Sequence, residues 1–163
     1  MPEQKSVKPK VEDAILQVLS GDRESAALDF AAFMQENKLS LRWASNNAWK
    51  AMYKGKSVCY MLINAGGDWV IRFSQFTREK WFVDYDSHIT DAGLKDFVIN
   101  NINSRNCPGR DCGITRNKTI LGKTFEEVCT CWPIYMRNPG GTDLEDVKKL
   151  ILVIKMFITG SKL

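Results

Sequence analysis

The sequence lacks a long apolar run and contains a single histidine. No segment approaches the roughly 18 consecutive apolar residues that a membrane helix needs. The first ten residues, MPEQKSVKPK, contain no apolar stretch of the kind found in secretory signals. We therefore expect a cytoplasmic protein with no membrane segment, in which the cysteines stay reduced.

Signatures of catalysis are missing as well. The sequence contains no Ser-His-Asp order, no phosphate-binding glycine loop and no His-Glu-x-x-His motif. Carboxylates are paired at Asp84 and Asp86 and at Glu126 and Glu127, and such pairs can exchange protons when their pKa values differ. Nothing places either pair, or the isolated His88, in a cleft. We therefore favour a non-enzymatic domain and assign no catalytic residue.

The size and composition are those of an ordinary globular domain. The chain has 163 residues, of which 44% are hydrophobic and 26% charged. A chain of this length buries about 70% of its unfolded surface, so it needs no disulfide or metal in order to fold. We expect residues 1–8 to be a flexible tail and residues 9–163 to form one domain.

Four segments predict a β-meander, because two of them alternate apolar and polar residues with a period of two and the other two are short, β-rich and mostly apolar. They cover residues 39–43, 49–53, 57–63 and 69–73, and polar or glycine-containing turns separate them. Residues 81–85 and 128–136 are predicted to add two further strands.

Helical spacing of apolar residues predicts helices on either side of these strands. Pro9 can open a first helix, and Asp22 can cap a second one. Thr90 can cap a middle helix, while Thr142 and Glu145 form a capping box for a long amphipathic C-terminal helix. We therefore predict an α+β fold, in which an antiparallel meander packs against two N-terminal helices, a middle helix and the C-terminal helix.

Four cysteines are concentrated in the last third of the chain, at Cys107, Cys112, Cys129 and Cys131. Cys129 and Cys131 are two residues apart, so on a strand they would share one face, and a loop could supply the other two thiols. Four thiolates suit tetrahedral Zn²⁺, although these spacings differ from paired Cys-x₂-Cys motifs. The sequence favours a binding or regulatory domain with a structural zinc site.

A redox function is the alternative interpretation of the same cysteines. Neighbouring cations lower the pKa of a thiol, so Cys107 could react and Cys112 could resolve it as a disulfide. The fifth cysteine, Cys59, lies between apolar residues of the meander and is expected to be an ordinary core residue.

The cysteines lie in or next to a basic loop predicted at about 104–125, which could bind an anion. Its cations are Arg105, Arg110, Arg116, Lys118 and Lys123. The net charge of the whole chain is only +4, and no helix-turn-helix or RNA-binding motif is present. The sequence therefore makes nucleic acid an unlikely partner and favours an unidentified small molecule or protein.

Tryptophans in or beside the meander provide a third interpretation. Trp43, Trp49, Trp69 and Trp81 could line an apolar pocket for a flat small molecule. Strands and cores also favour aromatic residues, which would leave the four in ordinary packing roles.

Two short motifs resemble sequences of known families. The run WKAMYKGK at 49–56, followed by an apolar strand, resembles small bacterial α+β domains of the YdhG-like kind. The run GKTF at 122–125, followed by Cys129, Asn138-Pro139 and the final helix, is similar to small proteins of unknown function from Gram-positive anaerobes. The resemblance spans about residues 40 to 160 and implies a compact cytosolic domain with a mostly antiparallel sheet. It implies no activity and no site residue.

Overall fold

The structure, a computed structural model, describes residues 8–73, 79–103 and 115–160. Helices and strands are numbered here in chain order. They are α1 (Val11–Val18), α2 (Gly21–Glu36), β1 (Ser40–Ser45), β2 (Ala48–Tyr53), β3 (Lys56–Asn64), β4 (Asp68–Phe73), α3 (Glu79–Asp91), α4 (Lys95–Asn100), β5 (Thr115–Ile120), β6 (Lys123–Cys129), β7 (Ile134–Arg137) and α5 (Gly141–Thr159). The predicted α+β fold is confirmed.

The main sheet has five antiparallel strands in the order β1-β2-β3-β4-β7. Its first four strands form the predicted meander, in which short turns join consecutive antiparallel strands. Strand β7 returns from the far end of the chain to pair with β4. Strands β5 and β6 form a separate two-stranded sheet.

One face of the main sheet, which we call the core face, packs against helices α1, α2 and α5. Paired residues on neighbouring strands project from the same face, and one such core row consists of Trp49, Met61, Ile71 and Met136. No member of this row is more than 5% exposed. The ring of Phe30 on α2 lies 5.8 Å from that of Trp69 on β4, so the helix layer and the sheet share one apolar core.

Polar contacts hold the helices of this layer together. The Lys148 ammonium on α5 donates to Asp29 on α2 at 2.7 Å and to Glu145 at 2.8 Å. Burial lowers the pKa of Lys148, but these two carboxylates outweigh it and raise the pKa overall. Lys155 donates at 2.6 Å to the carbonyl of Asn37, placing a cation at the C-terminal end of α2, where the helix dipole favours it.

The boundaries of α5 differ from the prediction at one end only. Gly160 ends the helix in the left-handed conformation, with φ at 68°, as its position in the sequence predicts. The capping box is wrong, because Gly140 is the N-cap and Thr142 lies inside the first turn. No side chain caps this end of the helix.

The strand predicted at 81–85 is wrong, because these residues belong to helix α3. Tyr85 and Ile89 are both buried and four residues apart, so they lie on one helical face. The ring of Tyr85 stacks on that of Phe157 from α5, with centroids 3.9 Å apart. Thr90, predicted to begin the middle helix, is in the last turn of α3, and the middle helix itself is α4.

The segment after residue 114 also differs from the prediction. Residues 115–120 and 123–129, assigned partly to the basic loop, form the antiparallel β5–β6 hairpin. The single strand predicted at 128–136 is wrong, because β6 ends at Cys129 and β7 begins at Ile134. Pro133 has no N–H to donate to a neighbouring strand, which fits a break at this point.

No helix within the described ranges is long and apolar enough to cross a membrane.

Candidate functional site

The hypothesis of a regulatory domain with a four-cysteine zinc site is wrong. Among the described residues, no three histidine, cysteine, aspartate or glutamate side chains are grouped so that they could hold a metal ion. Cys129 is fully buried at the end of β6, whereas Cys131 is exposed in the bend that follows. The two do not share a strand face as predicted. Cys107 and Cys112 lie outside the described residues.

The redox alternative rests on Cys107 and Cys112 and therefore also lies outside the described ranges. The cysteines within those ranges, Cys59, Cys129 and Cys131, are all thiols. Cys59 is fully buried, as predicted, and burial raises the pKa of its thiol far above the ordinary value. Its thiol stays protonated and unreactive, so Cys59 is a core residue.

The four tryptophans of the predicted apolar pocket do not line one cavity. Trp49 and Trp69 are at most 1% exposed and fill the core between the sheet and the helices. Trp43 is half-buried on strand β1. Trp81 belongs to α3, where its ring stacks on that of Tyr85 with centroids 5.9 Å apart. The pocket proposed for a flat small molecule is therefore not formed by these residues.

The predicted anion-binding cations are also separated. Arg116 and Lys123 are exposed, whereas Lys118 is only 6% exposed, so these three do not present one solvent-facing surface. Arg105 and Arg110 lie outside the described residues. Among the paired acids, Asp84 and Asp86 are exposed on α3, while Glu126 and Glu127 are exposed on β6.

A different group of side chains crosses the face of the main sheet opposite α1, α2 and α5, which we call the outer face. The strand register pairs Arg42 with Lys50 and Lys50 with Tyr60. Tyr60 in turn pairs with Arg72, and Arg72 with Tyr135. Because paired residues project from the same face, these five side chains form one line across all five strands. We call this line the outer row.

Alternation along each strand explains why the outer row is separate from the core. Side chains of successive strand residues point to opposite faces. Lys50 therefore lies between the core residues Trp49 and Ala51, and Arg72 lies between Ile71 and Phe73. Arg42 is exposed, and the other four members of the outer row are half-buried.

Cations and rings contact one another along the outer row. The Lys50 ammonium lies 5.2 Å from the ring centroid of Tyr60. The Arg72 guanidinium lies 5.3 Å from the ring of Trp132 and 5.6 Å from that of Tyr135. Trp132 also meets Tyr60 edge to face, with centroids 5.1 Å apart. All three cation–ring distances are within the roughly 6 Å range of cation–π attraction, so the row is connected from β2 to β7.

Trp132 joins the outer row from the bend between β6 and β7, and its backbone is fixed on both sides. Its N–H donates to the sulfur of Cys129 at 3.4 Å, and its carbonyl accepts a hydrogen bond from the Asn103 side chain at 3.2 Å. The N–H of Asn103 donates to the carbonyl of Pro133 at 2.7 Å. Cys129 and Asn103 therefore position the indole, and this gives Cys129 a structural role.

The row next to the outer row is apolar for most of its length. It consists of Ala48, Leu62 and Val70 and ends at Arg137. Arg137 pairs with Asp68, its Nε lying 3.1 Å from a carboxylate oxygen that also accepts a hydrogen bond from Asn64. The carboxylate at this end of the outer face is thus engaged locally, and it lies away from Lys50 and Arg72.

No protein-family model, curated protein or solved structure matches the chain. The resemblance drawn from residues 40 to 160 therefore stays a prediction.

The chemistry of the outer row is that of recognition. Guanidinium and ammonium groups donate to phosphate or carboxylate oxygens, and a guanidinium can do so through two parallel hydrogen bonds. Aromatic rings offer apolar faces to flat ligands. The sequence contains a signal for this site, because Lys50, Tyr60 and Arg72 occupy the alternate positions between core residues. Trp132 has no such signal, since its position depends on the bend at 130–133.

Proposed function

We propose that this chain is a binding domain whose outer sheet face takes an anionic ligand carrying a planar ring, of which a nucleotide is the simplest example. The single observation that carries the proposal is the contact of Arg72 with two rings at once, those of Trp132 and Tyr135. A phosphate bound by this guanidinium would have an aromatic surface directly beside it.

Preorganisation supports the proposal. A free arginine or lysine side chain loses rotational freedom when it binds a ligand, which weakens binding by about 0.5–1.5 kcal/mol per side chain. Lys50 and Arg72 already lie against rings on the same sheet face, so part of that freedom is lost on folding. Both project from paired strand positions, which places them more rigidly than loop residues would be.

Charge also supports the proposal. The outer row contains Arg42, Lys50 and Arg72 and no acidic residue. Asp68, which pairs with Asn64 one row beyond the neighbouring row, already forms an ion pair with Arg137. Within the described residues of these two rows, an anion would therefore meet cationic side chains beside a partly apolar floor.

Calorimetric titration with adenosine monophosphate, adenosine and inorganic phosphate tests this function. The monophosphate carries both the ring and the charge, so we expect it to bind at least about tenfold tighter than either of the others, a difference of about 1.4 kcal/mol. Lys50→Gln should weaken its binding. Lys149→Gln makes the same charge change on the exposed side of α5, where Lys149 pairs with Asp146, and should not.

Two results would overturn the proposal. One is the absence of binding by all three probes at concentrations up to about 1 mM. A dissociation constant of that size corresponds to a binding free energy of about 4 kcal/mol. The other is an equal loss of affinity in the Lys50→Gln and Lys149→Gln proteins, because binding would then depend on total charge and not on the outer row.

A further inference from the structure

The length of the outer row points beyond a single nucleotide. Neighbouring strands in a sheet lie about 4.8 Å apart, so the four steps from β1 to β7 span roughly 19 Å. The cations Arg42 and Lys50 stand at one side of this span, and Arg72 stands two strands beyond Lys50. The backbones of Arg42 and Arg72 are three strand steps apart, roughly 14 Å, a spacing that suits a chain of phosphates better than one phosphate.

We propose that the outer row binds single-stranded nucleic acid, running across the strands from β1 towards β7. This inference rests on the proposed function and names its ligand class, and it departs from the expectation from composition that nucleic acid is an unlikely partner. Lys50 and Arg72 would contact successive parts of the phosphate backbone, and the rings of Tyr60, Trp132 and Tyr135 would stack on bases. Flat sheets that carry aromatic residues bind about two or three bases in this manner in other proteins.

The burial of the rings favours a single strand over a duplex. Tyr60, Trp132 and Tyr135 are half-buried, and the long side chains of Lys50 and Arg72 lie against them. A base in a duplex is stacked between its neighbours and cannot present its flat surface to a recessed ring. An unpaired base can turn out of the strand to do so.

The surroundings of the row also favour a polyanion. The neighbouring row is apolar at Ala48, Leu62 and Val70. The acidic Asp68 lies one row beyond it, where Arg137 and Asn64 engage the carboxylate. A nucleic acid strand that follows the outer row therefore meets no uncompensated carboxylate among the described residues of these two rows.

Fluorescence anisotropy with labelled oligonucleotides tests the inference. The probe is a single-stranded DNA of about ten nucleotides, inside the range of about 4 to 16 nucleotides that one sheet-based site covers. We expect it to bind at least about tenfold tighter than adenosine monophosphate, and at least about tenfold tighter than a duplex of the same length. An RNA of the same sequence shows whether the sugar matters.

Two variants assign the contacts. Lys50→Gln removes one phosphate contact, so the slope of log affinity against log salt should fall in magnitude by about 0.7, the value for one charge on a single strand. Lys149→Gln should leave that slope unchanged. Trp132→Ala should weaken binding by about 5- to 150-fold, the range for one stacked base. Trp132→Phe keeps a ring at the site and should lose less.

The outcomes separate this inference from the function on which it rests. If adenosine monophosphate binds and the oligonucleotide binds no tighter, the ligand is a free nucleotide and the inference fails alone. If neither binds, both proposals fail. Equal affinity for the duplex would overturn the single-strand assignment. An unchanged salt slope in Lys50→Gln, together with equal affinities of Trp132→Phe and Trp132→Ala, would move the binding away from the outer row.

Discussion

The two faces of the five-stranded sheet differ in composition although the same strands build both. The core face carries Trp49, Met61, Ile71 and Met136 in paired positions, all buried under helices. The residues directly next to these in sequence are Lys50, Tyr60, Arg72 and Tyr135, which pair with one another on the opposite face. Apolar burial thus fills the core row, while the outer row collects charge and aromatic rings.

The difference shows how a function can be separated from stability at adjacent residues. Ile71 and Arg72 are neighbours in sequence, yet their side chains lie on opposite sides of the sheet. Removing an apolar side chain from the core leaves a cavity, whereas truncating a half-buried cation of the outer row removes its contacts with rings. Truncation of the core residue should therefore mainly lower stability, whereas truncation of its outer-row neighbour should mainly weaken binding.

Truncation of Ile71 should have the largest effect on stability. Ile71→Ala removes a fully buried side chain from β4, and we expect the free energy of unfolding to fall by about 2–5 kcal/mol. Arg72→Ala should lower it by only about 1 kcal/mol, because it removes contacts with two rings. Urea denaturation followed by circular dichroism measures both. A larger loss in Arg72→Ala than in Ile71→Ala would invert the roles assigned to the two faces.

Alkaline pH should lower the free energy of unfolding through ionisation of the Tyr85 phenol. Burial, and to a lesser extent the neighbouring charge of Asp84, raises the pKa of Tyr85 from 10.0 to about 12. The folded protein therefore holds this proton more tightly than the unfolded chain, and the resulting stability is present below pH 10 and lost as the pH rises towards 12. The expected loss is about 2 kcal/mol.

Denaturation at several pH values from 9 to 12 measures this loss, with Tyr85→Phe as the matched control. The variant keeps the ring that stacks on Phe157 but has no phenol to ionise. Its stability should therefore fall less steeply with pH than that of the unmodified protein. Parallel curves would assign the alkaline loss to other groups.

The ion pair at the end of the outer face should have the smallest effect. Arg137 and Asp68 form a contact of 3.1 Å, but the arginine side chain is 62% exposed. Exposed pairs of this kind contribute about 0–1 kcal/mol, so Arg137→Gln should change the free energy of unfolding by less than about 1 kcal/mol. A loss comparable to that of Ile71→Ala would mean that the outer face stabilises the fold as much as the core face does.

Much of the fold was predictable from the sequence because it depends on local patterns. Alternation with a period of two located β1 and β2, short β-rich apolar runs between turns located β3 and β4, and helical spacing located α1, α2 and α5. The assignment of residues 81–85 to a strand was wrong because five residues are too few to distinguish the two periods. Helix α3 is stabilised by the packing of Tyr85 on Phe157, a contact between distant parts of the chain.

The candidate site was less predictable, for a physical reason. Its members come from five strands and one bend, and only the strand register brings Arg72 beside Tyr135. Register is a property of long-range pairing, which a single sequence does not display. The spacing of Cys129 and Cys131 predicted that the two thiols share one face of a strand. They differ in burial instead, because Cys131 lies in a bend that follows the strand.

The buried thiol of Cys59 can be used to measure how often the core of the protein opens. Its thiol is fully buried on β3, the central strand of the sheet, against the helix layer. A thiol reagent can reach it only after the helices and the strands have separated. The rate at which Cys59 is modified at fixed pH therefore reports how often this opening occurs. The outer row crosses the same strand at Tyr60. A ligand bound to the outer row should therefore slow the modification of Cys59 without contacting the thiol.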